Sequence, residues 1–214
     1  MTWIAASGVS VLAWYGTAEA ALIAQFTATL NEVSAQLSDG FNVGETVVGF
    51  YQFDETTLDS NDSAFLADYL AIDDFRVEFS GGYTASATSG EIEVDDFTTS
   101  TDTYLARSLG PVTGTTVSGS SPVSMRIELL DLSATAFDSD ALPLSLDLTD
   151  FDIREFTIFF SAGQITGELT SLSIVPEPAS FILIGLGALL IGARPRGRIR
   201  CSASKALDEA IFLE

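Results

Sequence analysis

Phe75-Arg76-Val77-Glu78-Phe79 alternates apolar and polar side chains without a break. Glu91-Ile92-Glu93-Val94-Asp95 and Met125-Arg126-Ile127-Glu128-Leu129 do the same. A period of two belongs to a strand with one face buried and the other in water, whereas a helix repeats every 3.6 residues. Residues 26–30, 48–53 and 156–160 read as further strands, rich in aromatic and β-branched side chains. Turn signals separate them: Ser38-Asp39-Gly40, Ser80-Gly81-Gly82, Ser89-Gly90, Leu109-Gly110-Pro111, Ser118-Gly119-Ser120 and Ala162-Gly163. Residues 156–160 and 168–174, joined by a short glycine-containing link, predict a hairpin. About eight to ten such strands predict an all-β fold, an antiparallel β-sandwich whose sheets are each wet on the outer face. Phe75, Phe79, Phe156 and Phe160 are expected to anchor its core. Residues 58–71 depart from the pattern; Ser63-Ala64-Phe65-Leu66-Ala67-Asp68-Tyr69-Leu70 reads as a helical turn.

Composition narrows the chemistry. The 214 residues include 30 Asp+Glu against 9 Lys+Arg, a net charge of −21, with no histidine and one cysteine, Cys201. Without histidine there is no Ser-His-Asp triad, Cys-His dyad or imidazole metal ligand. The negative charge repels phosphate backbones, so no nucleic-acid partner is expected. Residues 21–175 hold 25 of the acids but only four cations, Arg76, Arg107, Arg126 and Arg154, and no Cys or Lys. That excludes a cysteine nucleophile, a Ser-Lys dyad and Schiff-base chemistry there. A carboxylate pair acting on a glycosidic bond is the enzymatic route that remains, and no pair singles itself out. The chain is therefore expected not to be an enzyme and to need no cofactor. Calcium is the one metal with a motive, since Asp54, Glu55, Asp59, Asn61 and Asp62 crowd a loop and Asp147, Asp150 and Asp152 form a second group. Neither has EF-hand spacing. Asp59, Asn61 and Asp62 are the calcium candidates; the alternative is a set of solvated loop carboxylates.

The two ends carry targeting information. Residues 179–193 contain no charge, and Arg194, Arg196, Arg198 and Arg200 follow at alternate positions. As a helix this run spans roughly 22 Å, short of the ~30 Å hydrocarbon core, but arginines snorkel to headgroups and let a short span sit off-centre. A single C-terminal transmembrane helix with its basic side cytoplasmic is expected; the alternative is a buried core helix. The preceding residues then lie across the membrane and need an export signal. Residues 1–15 are largely apolar, and Ala18-Glu19-Ala20 is an A-x-A site for signal peptidase with cleavage before Ala21. No Lys or Arg precedes that apolar run. The expected organisation is a signal peptide (1–20), an acidic β-sandwich ectodomain (21–174), a sorting segment (175–200) containing the transmembrane stretch 179–193, and a cytoplasmic tail (201–214).

Val175-Pro176-Glu177-Pro178-Ala179-Ser180, a Gly- and Leu-rich apolar segment and clustered arginines follow one another closely. This arrangement resembles the PEP-CTERM sorting signal of exopolysaccharide-producing Gram-negative bacteria. The resemblance implies processing near Pro176, Glu177 and Pro178 by exosortase, a membrane cysteine transpeptidase-like enzyme. Two prolines forbid a regular helix there and favour an extended, accessible motif. Leu169-Thr170-Ser171-Leu172-Ser173-Ile174 leading into the motif is similar to the last strand of many such ectodomains. Val43-Gly44-Glu45-Thr46-Val47-Val48-Gly49-Phe50, followed by Phe53-Asp54, is similar to a segment found in them. Such signals end soon after the basic cluster, whereas here residues 201–214 follow.

The resemblance implies a chain tethered in the inner membrane with its ectodomain in the periplasm, then moved to the cell surface or extracellular matrix. Its expected role is structural or adhesive in an exopolysaccharide matrix. The alternative is a carbohydrate- or calcium-binding module whose ligand is the exopolysaccharide. A concave patch lined by Tyr51, Tyr69, Tyr83 or Tyr104 would favour that alternative.

Overall fold

The computed structural model describes residues 21–97 and 100–176. Ten strands follow in chain order: β1 (Leu22–Val33), β2 (Thr46–Phe53), β3 (Leu66–Phe79), β4 (Thr84–Ala87), β5 (Gly90–Asp96), β6 (Asp102–Ser108), β7 (Thr113–Gly114), β8 (Pro122–Asp131), β9 (Ile153–Phe160) and β10 (Gly163–Pro176). Two short 3-10 turns, Ala35–Leu37 and Leu148–Asp150, are the only helical elements among the described residues. Every pairing is antiparallel, as the alternating pattern predicts.

The expected two-sheet sandwich is replaced by one sheet closed on itself. β1, β2, β3, β5, β6, β8, β9 and β10 form an eight-stranded ring, and β10 returns to pair with β1. Closure depends on β3, whose fourteen residues serve two neighbours. Its first half pairs with β5, and its second half pairs with β2 on one edge and β4 on the other. Register shifts at Tyr69/Ile72 and Gln52/Phe53 mark the bulge where β3 bends. Bulges add twist, and a strongly twisted meander of this length curls until its first and last strands meet. β4 and β7 extend the sheet beside the second half of β3.

That bulge also explains the misread helical turn. Ala67, Tyr69 and Ala71 point inward with strand period, but Ala71 and Ile72 are buried in succession, so the alternation slips by one. An Ala- and Leu-containing stretch with a broken period of two mimics a helix. Residues 66–71 are strand.

An eight-stranded barrel is just wide enough for side chains to fill. Phe75, Phe79 and Phe156 are at most 1% exposed and Phe160 is 6% exposed, so all four expected anchors are in the core. Phe26 meets Phe75 edge-on at 6.3 Å and Phe156 at 5.4 Å. Each such burial stabilises by roughly 1.5–3 kcal/mol. Tyr51 and Tyr104 share a hydrogen bond of 2.8 Å between hydroxyls within the same core.

The register separates two rims. One gathers the end of β1, the start of β2 and the ends of β3 and β9, closed by Phe41 against Phe79, Tyr83 and Phe160. The other gathers Leu22, Phe53, Leu66, Asp131, Ile153 and Pro176. From this second rim spring the loops 54–65 and 132–152. The longer loop packs Phe137, Leu142, Leu146 and Leu148 onto the core. Asp131 ties down its first turn, accepting from Ser133 N at 2.7 Å, Thr135 N at 2.7 Å and Ala136 N at 2.9 Å. No helix among the described residues is long and apolar enough to cross a membrane, and the expected span 179–193 lies outside them.

Candidate functional site

Alternation along the strands puts a second set of side chains on the barrel's outer surface, where the register aligns them into two rows. Ser173, Gln25, Phe50, Arg76, Ser86 and Thr113 stand opposite one another across β10, β1, β2, β3, β4 and β7. One step along the strands, Ser171, Thr27, Val48, Glu78 and Thr84 form the second row. Together with Thr115 these residues line an open trough of about 1060 Å³ running across the strands.

The trough has a distinct chemistry. Its lining mixes apolar surface from Phe26, Val48, Gly49, Phe50, Val77 and Ala85 with the hydroxyls and amide of the two rows, and the Phe50 ring lies under the Arg76 guanidinium at 6.0 Å from the ring centre. Asp74 holds that guanidinium by a 2.8 Å ion pair and, by hydrogen bond and charge, raises its pKa further. Among the described residues, Glu78 is the only carboxylate in the lining and Arg76 the only cation. With Arg76 already neutralised by Asp74, Glu78 leaves the strip a single net negative charge, sparse for a chain of net charge −21. Gly49 shapes its floor: the Phe26 ring occupies the space where a Cβ would stand, and the Arg76 carbonyl lies 2.7 Å from that point. Only glycine admits so close an approach of β2 to β3.

The tyrosines expected to form a binding patch are elsewhere. Tyr51 and Tyr104 are 0% exposed, and burial pushes both hydroxyls well above the ordinary tyrosine range. Tyr69 is buried and donates to the Asp140 carbonyl at 3.1 Å. Tyr83 packs against Phe41 and Phe79, and burial raises its pKa to about 12. The outward-facing aromatic of the trough is instead Phe50. Its signal was the unbroken apolar run Val47-Val48-Gly49-Phe50-Tyr51, in which Val48 and Phe50 occupy outward positions that a wet face gives to polar residues.

The calcium candidates serve the backbone. Asp59 accepts from Asn61 N at 2.8 Å and from Asp68 N at 2.9 Å, fastening the loop to β3. The Asn61 side chain donates to Asp68 at 2.9 Å and accepts from Ser63 N at 3.0 Å, while Asp62 is exposed. In the second cluster Asp147 caps Thr149, and Asp152 accepts from Leu132 N. No group of three or more Asp, Glu or Cys side chains among the described residues is placed to hold a metal ion.

The sorting motif begins inside the barrel wall. β10 ends at Pro176, which pairs with Leu22, and Val175 pairs with Ile23. Glu177, Pro178 and Arg194, Arg196, Arg198 and Arg200 lie outside the described residues. Neither the curated proteins nor the solved structures contain a match to this chain. The family model of the PEP-CTERM protein-sorting motif matches residues 175–197, and the chain is therefore a protein that carries this motif, entered directly from its last strand.

Proposed function

We propose that this chain is an exported substrate of exosortase, held in the inner membrane by residues 179–193 until it is processed and moved to the cell surface or matrix. The sorting motif at 175–197, continuous with the last strand of a folded barrel, carries the reading. Residues 1–20 act as the signal peptide and signal peptidase removes them before Ala21. The role is structural or adhesive, and no catalytic step is assigned. Replacing Glu177 with Ala tests this: export continues, but the full-length chain stays in the membrane fraction. Unchanged release of a shortened chain would refute it.

The trough favours a second, compatible reading, in which the barrel adheres to a glycan. Hydroxyl and amide groups in rows, with one aromatic face, suit sugar hydroxyls and the apolar face of a pyranose ring. The low charge of the trough, with Arg76 paired to Asp74 and Glu78 left over, suits a neutral polysaccharide better than an anionic one, which Glu78 and the surrounding carboxylates repel. In affinity electrophoresis on neutral polysaccharide, the Phe50→Ala/Arg76→Ala double variant should migrate unretarded while melting near the parent temperature. Retardation equal to the parent's would remove this reading.

A further inference from the structure

Each end of β10 is held differently. Its pairing with β9 stops at Glu168, opposite Glu155, so residues 169–176 are hydrogen-bonded in the sheet to β1 alone. Beyond Leu169 this stretch has no fully buried side chain; Leu172 and Ile174 are half-buried and Pro176 is exposed. The final rungs are Ile174 opposite Ala24, Val175 opposite Ile23 and Pro176 opposite Leu22. The seam that closes the barrel thus ends in the first residues of the sorting motif.

Only Glu177 and Pro178 separate Pro176 from the apolar run that begins at Ala179. Fully extended, two residues reach about 7 Å. The rim at which β10 ends also carries the loops 54–65 and 132–152. An enzyme that binds the motif as an extended chain at a membrane surface therefore meets a strand still paired in a barrel wall, with bulky loops beside it. Freeing residues 170–176 would supply about 23 Å of chain. The rest of the ring stays paired, so this opening is local and costs less than global unfolding.

We propose that the end of β10 peels from β1 before exosortase processes the chain, so that the closing seam of the barrel gates its release. This rests on the reading of the chain as an exosortase substrate. Before opening, Pro176 is occupied in the sheet; after opening, residues 170–176 are free of β1.

A reversible lock on the seam tests the gate in the full chain, in a host that carries exosortase. Directly opposed residues of an antiparallel pair stand at Cα separations of about 4.5–5.5 Å, within disulfide range. In a Cys201→Ser background, Ile23→Cys and Val175→Cys together join β1 to β10 one rung before Pro176. The oxidised pair should accumulate as full-length precursor, with release slowed about tenfold or more. Each single-cysteine variant should be released at the parent rate, and reductant should restore release of the pair. A flexible Gly/Ser spacer of about six residues between Val175 and Pro176 should restore release with the disulfide intact. Release of the oxidised pair at the parent rate would overturn the gate. So would failure of the spacer where reductant succeeds, because the bond would then block something other than access. Release of the parent in cells lacking exosortase would refute the substrate reading itself, a result distinguishable from either.

Discussion

Asp95 offers a sharp test of how this acidic barrel bears its own charge. It lies near the end of β5, between Leu66 of β3 and Thr103 of β6, and one carboxylate oxygen is buried without a hydrogen-bond partner. Burial first, then the charges of Glu93 and Asp68, raise its pKa from 3.8 to about 6. A carboxyl with a raised pKa binds its proton more tightly folded than unfolded, so stability falls as pH rises from about 4 to 6 and stays reduced above. At 1.36 kcal/mol per unit the shift corresponds to about 3 kcal/mol. The carboxyl is only partly buried, and solvent screening reduces that to on the order of 1 kcal/mol. Asp95→Asn removes the charge and keeps the shape. Thermal unfolding of residues 21–176 followed by circular dichroism should show the variant melting higher by roughly 2–4 °C near pH 7.5. The gain should shrink steadily as pH falls from about 6 to 4, where the parent carboxyl is already protonated. A variant no more stable than the parent near neutral pH, or a gain independent of pH, would refute the reasoning.

Other perturbations probe the wall, the core and the surface. Tyr51→Phe leaves the Tyr104 hydroxyl without its partner in a dry core, and denaturant titration should show a loss of about 1–3 kcal/mol, most of it recovered in the Tyr51→Phe/Tyr104→Phe double variant. Gly49→Val forces a side chain against the Phe26 ring and the Arg76 carbonyl and should cost about 1–3 kcal/mol by the same measurement. Hydrogen bonds from Ser133 and Thr135 hold the Asp131 carboxyl well below its usual range, and those from Thr56 and Thr149 lower Asp54 and Asp147. Their stabilising effect is complete above about pH 4 and is lost as pH falls further, opposite to Asp95. A melting-temperature profile should therefore peak between the two limbs, in mildly acidic buffer, and a monotonic rise to neutral pH would contradict it. Added NaCl should raise the melting temperature by screening the −21 charge, and Ca²⁺ at matched ionic strength should add nothing further, because Asp59 and Asn61 are engaged with the backbone. A calcium-specific rise would show a site there.

The strand content was legible because five-residue alternation survives in β3, β5 and β8, where each outward position is charged and each inward one apolar. β6 was missed: Asp102-Thr103-Tyr104-Leu105-Ala106-Arg107-Ser108 turns a buried carboxylate and a buried serine inward at its ends. One oxygen of Asp102 accepts from Phe137 N, a contact 35 residues away that no local pattern announces, while the other is buried without a partner. Ring closure was illegible for a related reason. Alternation states that a strand has two unlike faces and says nothing about which strand lies across from the last one. The pairing of Leu22 with Pro176 is a property of accumulated twist. The sorting motif was legible because it is linear: its prolines and the charge contrast beside it act through local chemistry. The trough was not, since Phe50 and Arg76 meet only through register between β2 and β3.

Intact-mass analysis of the released protein, compared between cells with and without exosortase, tests the central claim most directly because it reads both ends of the chain at once. The account predicts a mature species beginning at Ala21 and ending at or beside Pro176-Glu177-Pro178 only when exosortase is present, with the precursor retained in the membrane fraction otherwise. A released chain that still extends to Glu214 in the presence of the enzyme, or the same shortened species in its absence, would contradict it.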